Sequence, residues 1–169
     1  EINGTGSEGI ALDVAVHLGS ILAVIGYFRT ESTAAARGLG HLLRGRGGTS
    51  EARLARNLIL ATVPLVFAGG LVVVMDWSDA LRNIRVIGWA MIVFGLLLWW
   101  IDRRASQTGR VTEWSLRQAL IMGLWQVLAL IPGTSRAGIT ITGARAIGME
   151  RHDAARIAML MSIPALLAA

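Results

Sequence analysis

The chain has 169 residues, 54% of them hydrophobic, with a mean hydropathy of +0.58 and a formal charge of +5. A soluble domain needs a more polar surface than this composition provides, so a bilayer is the simpler solvent. All 16 basic residues are arginines spread between apolar runs, not one basic face with aromatic platforms, which argues against nucleic acid, and the absence of cysteine excludes disulfide frameworks and thiolate metal sites.

A membrane-crossing helix needs roughly 20 mostly apolar residues, whereas runs of roughly 10 to 14 are more often re-entrant or buried. On that rule the chain is all-α, with spans at 11–28, 58–75, 86–101 and 153–169. In the first span Asp13 and His17 share a helical face at i, i+4. They suit a proton relay or a metal site, although two ligands without a third make a weak metal site and a hydrated pair near a span end is the simpler reading. The segment 29–56 carries Arg29, Arg37, Arg44, Arg46, Arg53 and Arg56 against Glu31 and Glu51, and reads as a cytoplasmic loop with a flexible Gly38–Gly48 stretch. Arginines and carboxylates balance at 76–85, while Arg103, Arg104, Arg110 and Arg117 dominate 102–117, giving loops that alternate inside, outside, inside. Trp77, Trp89, Trp99, Trp100 and Trp114 lie near segment ends, as an aromatic belt would place them. His41 and His152 fall in expected loops and read as solvated.

Residues 118–131 are too short to cross and end at Pro132-Gly133, a pair that stops a helix and permits a sharp turn. The sequence predicts a re-entrant hairpin over 118–148, with a polar tip at 132–138 and a second helix through 139–148. In that tip Arg136 is flanked by Thr134, Ser135 and Thr140 in otherwise apolar surroundings. Polar groups at membrane depth are costly unless paired or set in a wet cavity. A guanidinium fork, hydroxyls and the start of a helix suit phosphate oxygens. The same residues also fit a plain turn whose arginine snorkels to lipid headgroups. Arg145, near the hairpin exit, reads as a snorkelling side chain before it reads as a second phosphate contact.

The stretch Pro132-Gly133-Thr134-Ser135-Arg136-Ala137-Gly138-Ile139-Thr140 resembles the Pro-Gly-x-Ser-Arg-Ser-x-x-Thr signature of the undecaprenyl-pyrophosphate phosphatases of the bacitracin-resistance type. Arg117-Gln118-Ala119, Gln126, Gly148, Arg151 and the run Val16 to Val24 are similar to that family too, and Ala137 stands where its signature has a second serine. The resemblance implies a multi-pass bacterial inner-membrane enzyme of two inverted repeats, each giving a re-entrant hairpin to a site that opens to the periplasm. Its reaction turns undecaprenyl pyrophosphate into undecaprenyl phosphate, recycling the carrier for peptidoglycan synthesis, with a divalent cation (magnesium or calcium) and with homodimer formation open. Arg136 and Ser135 would be its catalytic residues here, and Gly133, Thr134, Ser135, Arg136, Thr140 and Gln126 would hold the pyrophosphate. Leu130 replaces the second glutamate of the family's acidic motif, so the metal ligands would belong to a first hairpin lying before Glu1. The sequence then reads as a fragment that would not hydrolyse the lipid alone. Inverted repeats with broken helices also build secondary carriers, so a polyprenyl-phosphate transporter or flippase stays open, as does a structural membrane subunit.

Overall fold

The computed structural model describes residues 5–76, 83–105 and 114–167. Seven α-helices run through them in chain order: α1 (Thr5–Tyr27), α2 (Arg29–Leu43), α3 (Ser50–Val74), α4 (Ile84–Arg104), α5 (Leu116–Val127), α6 (Arg136–Ala146) and α7 (Arg151–Leu167). The 3-10 turn Leu128–Leu130 extends α5. Most of the loops expected at 76–85 and 102–117, and the side chains of Asp13 and His17, lie outside the described residues.

Two of these helices, α3 and α4, are long and apolar enough to cross a membrane. At about 1.5 Å per residue, the 21 residues of α4 reach the roughly 30 Å of a hydrocarbon core. The 12 residues of α5 and 11 of α6 do not, and they fold back on each other as the hairpin expected from their length. Ser115 starts α5 with a capping box, its Oγ accepting from the Gln118 amide at 3.3 Å while Gln118 Oε1 accepts from the Ser115 amide at 2.8 Å.

The segment expected as a loop at 29–56, with a flexible stretch at Gly38–Gly48, is instead mostly helix. Its middle, Thr30 to Ala36, contains three consecutive alanines and no proline, so helix is favoured although the run is too polar to register as a span. Gly38 then lets α2 lie against the start of α3, because a Cβ there would meet the Glu51 carbonyl oxygen at 2.0 Å. His41 correspondingly belongs to α2 and faces Thr49, with Nδ1 3.1 Å from Oγ1. His152 belongs to α7 and its side chain is 83% exposed.

The core gathers Leu58 and Ala61 of α3, Ala119 and Met122 of α5, Ala144 of α6, and Ile157, Leu160 and Met161 of α7. α3 forms the spine, packing against α2 on one side and α5 on the other. Buried Asn57 of α3 ties this spine to the hairpin entry by donating from Nδ2 to the Trp114 carbonyl at 2.6 Å.

Candidate functional site

The tip of the hairpin is built on one glycine. Gly133 has φ +92°, a left-handed conformation that side chains resist, and a Cβ on it would stand 2.5 Å from the Ile87 carbonyl oxygen of α4. The tip is therefore pressed backbone to backbone against α4. The Thr134 amide closes the turn on the Ile131 carbonyl at 3.1 Å.

Helix α6 starts earlier than expected, at Arg136. Ser135 is its N-cap, with Oγ accepting from the Gly138 amide at 3.1 Å. That bond uses one acceptor lone pair of the exposed hydroxyl and leaves its proton available. Arg136 thus sits in the first helical turn, where unpaired amides and the helix dipole favour an anion.

Half of the buried side-chain atoms that lack a partner among the described residues belong to three residues of this hairpin. Gln126 is fully buried with neither Oε1 nor Nε2 engaged, Thr134 Oγ1 is buried and unengaged, and the half-buried Arg136 has a buried, unengaged Nη1. Each such atom costs about 1–3 kcal/mol when left without water or ligand. A hydroxyl and a guanidinium at a helix start, with a buried amide ten residues earlier in the same hairpin, match the oxygens of a phosphate. Thr140 lies one turn along α6, buried, with Oγ1 donating to the Arg136 carbonyl at 2.8 Å. It supports the backbone of the arginine and retains acceptor lone pairs only.

Arg145 does not snorkel. It is fully buried, and its guanidinium donates from Nε to Asp102 Oδ1 at 2.8 Å, from Nη2 to the carbonyls of Asp102 and Ala105 at 3.2 Å each, and from Nη1 to the Met149 carbonyl. The snorkelling expectation fails because Asp102 and the open carbonyls ending α4 offer acceptors within the protein. Arg151 completes the cluster, with Nε 3.0 Å from each Asp102 carboxylate oxygen, and this hydrogen bond and charge lift its already high pKa. Asp102 was assigned to a loop in the sequence. The available signal was an arginine inside an apolar hairpin, which demands a carboxylate at the end of a neighbouring span.

The two docking points set the direction of α6. Gly133 touches α4 at Ile87 and Arg145 touches it at Asp102 and Ala105, so α6 runs alongside α4 in the same sense. The tip consequently lies beside the first turn of α4, about 22 Å along the helix axis from Asp102 and from the arginines at that end. No group of three histidines or carboxylates able to hold a metal occurs among the described residues. The tip itself presents a cation and hydroxyls, which fit an anion and do not fit a divalent ion.

The sequence matches the family described as "Bacitracin resistance protein BacA" over residues 2–169. The chain belongs to that family. Its all-α architecture, with two apolar helices of crossing length, is that of a BacA-family membrane protein. It is 56% identical over 167 residues to a protein of Ruegeria pomeroyi named "Undecaprenyl-diphosphatase", covering 99% of this chain and 62% of that one. Proteins of the same name from Dinoroseobacter shibae and Chromohalobacter salexigens are 51% and 46% identical, covering 99% and 100% of this chain and 63% of each relative. The chain thus spans under two thirds of the length of these BacA-family relatives.

Proposed function

We propose that the protein acts in the dephosphorylation of undecaprenyl pyrophosphate, with the 132–136 tip as the cradle for the pyrophosphate. The observation that carries this reading is the buried, unengaged Nη1 of Arg136 at a helix start, with the unengaged Thr134 hydroxyl two residues before it and the unengaged Gln126 amide in the same hairpin. The names of the relatives supply the substrate. In the reaction, oxygen from water bonds to the terminal phosphorus, the bridging P–O bond breaks, and undecaprenyl phosphate leaves with the electron pair. Arg136 holds two phosphate oxygens in its fork and stabilises the charge that develops on them, while the Ser135 hydroxyl donates a further hydrogen bond. A divalent cation, magnesium or calcium, is part of the proposal, held by carboxylates outside this tip, and no step of the tip's own chemistry depends on it. The tip stands at the end of α4 away from Arg103 and Arg104, which supports a site opening to the periplasmic side of the inner membrane.

The test is phosphate release by the purified protein, as full length as its relatives, from undecaprenyl pyrophosphate in detergent. Arg136→Lys replaces a bidentate fork with a point charge, and losing a charge-assisted contact worth about 2–5 kcal/mol should cut turnover at least roughly 30-fold. Wild-type kinetics in this variant would remove Arg136 from the site. Movement of labelled polyprenyl phosphate across proteoliposomes without phosphate release would replace the phosphatase with a carrier.

A further inference from the structure

We propose that the end of α4 far from the tip is a docking surface for an anionic phospholipid headgroup. Trp99 and Arg103, and Trp100 and Arg104, are i, i+4 pairs on neighbouring faces of α4. The guanidinium carbon of Arg103 stands 4.6 Å from the centroid of the Trp99 ring, and that of Arg104 stands 4.7 Å from the centroid of Trp100. Both rings are about half exposed, at 54% and 47%, and both arginines are exposed.

Three features give this surface its partner. First, α4 is the barer of the two crossing-length helices, with only 6% of its apolar window buried among the described residues. Second, the nearest carboxylate, Asp102, is committed to Arg145 and Arg151, and neither Arg103 nor Arg104 has an ion-pair partner among the described residues. Third, a guanidinium over an indole ring keeps its N–H edge for an acceptor, and indoles settle at headgroup depth. Two adjacent stacks at the end of an apolar helix therefore offer a pair of fixed cationic forks at the level of the lipid phosphates. Charge complementarity selects an anionic lipid over a zwitterionic one.

The experiment is a lipid titration of the detergent-purified protein followed by native mass spectrometry, with phosphatidylglycerol and phosphatidylcholine as probes. Phosphatidylglycerol should bind about tenfold or more tightly than phosphatidylcholine, since each arginine near an anionic headgroup contributes roughly a fivefold effect. Arg103→Gln with Arg104→Gln should abolish the preference. Trp99→Leu with Trp100→Leu should reduce it several-fold, with every charge kept. Arg44→Gln with Arg46→Gln, exposed arginines of the α2–α3 turn, should leave it intact. An unchanged preference in either the arginine or the tryptophan pair overturns the proposal. So does an equal loss in the α2–α3 turn variant, which would mean diffuse attraction, or displacement of the lipid by an equal concentration of inorganic phosphate.

Discussion

Replacing Arg145 with alanine should be among the most damaging single changes in the hairpin, although the residue is far from the tip. The substitution removes the donor from Asp102 Oδ1 and from the carbonyls of Asp102, Ala105 and Met149. Asp102 keeps Arg151 and its side chain is 29% exposed, so water can restore part of the loss there. The buried Met149 carbonyl and the vacated side-chain volume have no such relief. Removing one partner of a buried pair typically costs about 3–5 kcal/mol, and the half-wet carboxylate argues for the lower part of that range. For a domain of this size that corresponds to a fall in unfolding midpoint of roughly 6–15 °C. Thermal unfolding in detergent, followed by tryptophan fluorescence, measures it. Arg145→Met, which restores volume without donors, should recover only part of the midpoint, and Arg151→Ala should barely move it because that side chain is mostly exposed. A midpoint for Arg145→Ala within about 2 °C of wild type would refute the view that this guanidinium fastens the hairpin to α4.

Gly133→Ala should destabilise the tip by at least about 1–2 kcal/mol from its left-handed backbone alone, before the Ile87 contact is added, and should show as a lower midpoint together with weaker phosphate release. Asn57→Ala should cost about 1–3 kcal/mol by leaving the Trp114 carbonyl without its buried donor, read in the same unfolding assay. Ala137→Ser should change turnover less than about twofold, because a serine is well tolerated in the first turn of α6; a large gain in rate would assign that hydroxyl a direct contact.

What the sequence disclosed of this fold followed from local chemistry. Runs too short to cross, ended by Pro132-Gly133, announced the hairpin, and the Thr134-Ser135-Arg136 cluster announced its polar tip. The start of α6 was misplaced by three residues because Ser135 can cap as well as line a loop, and only the Gly138 amide decides between them. α2 is too polar to stand out as a membrane crossing, so its helical character shows only in its packing against α3. Arg145 inside an apolar hairpin signals that a carboxylate is needed, but local chemistry does not say that it is Asp102, since 43 residues separate the two. The unengaged state of Gln126 was equally hidden, as burial of an amide is a property of the surrounding helices.

The two points at which α6 meets α4 make the longer helix a ruler for the shorter one. Between Ile87 and Asp102 the α4 backbone is uninterrupted helix, so the separation of those two contacts is fixed by the number of residues between them. Adding one residue there would lengthen the rule by about 1.5 Å and turn its far end by roughly 100°. Either Gly133 would lose its seat or Arg145 would lose Asp102. The length of this stretch of α4 therefore sets how far the cationic tip stands from the Asp102 end of the helix, and substitutions along it should be far easier to accept than any change in count.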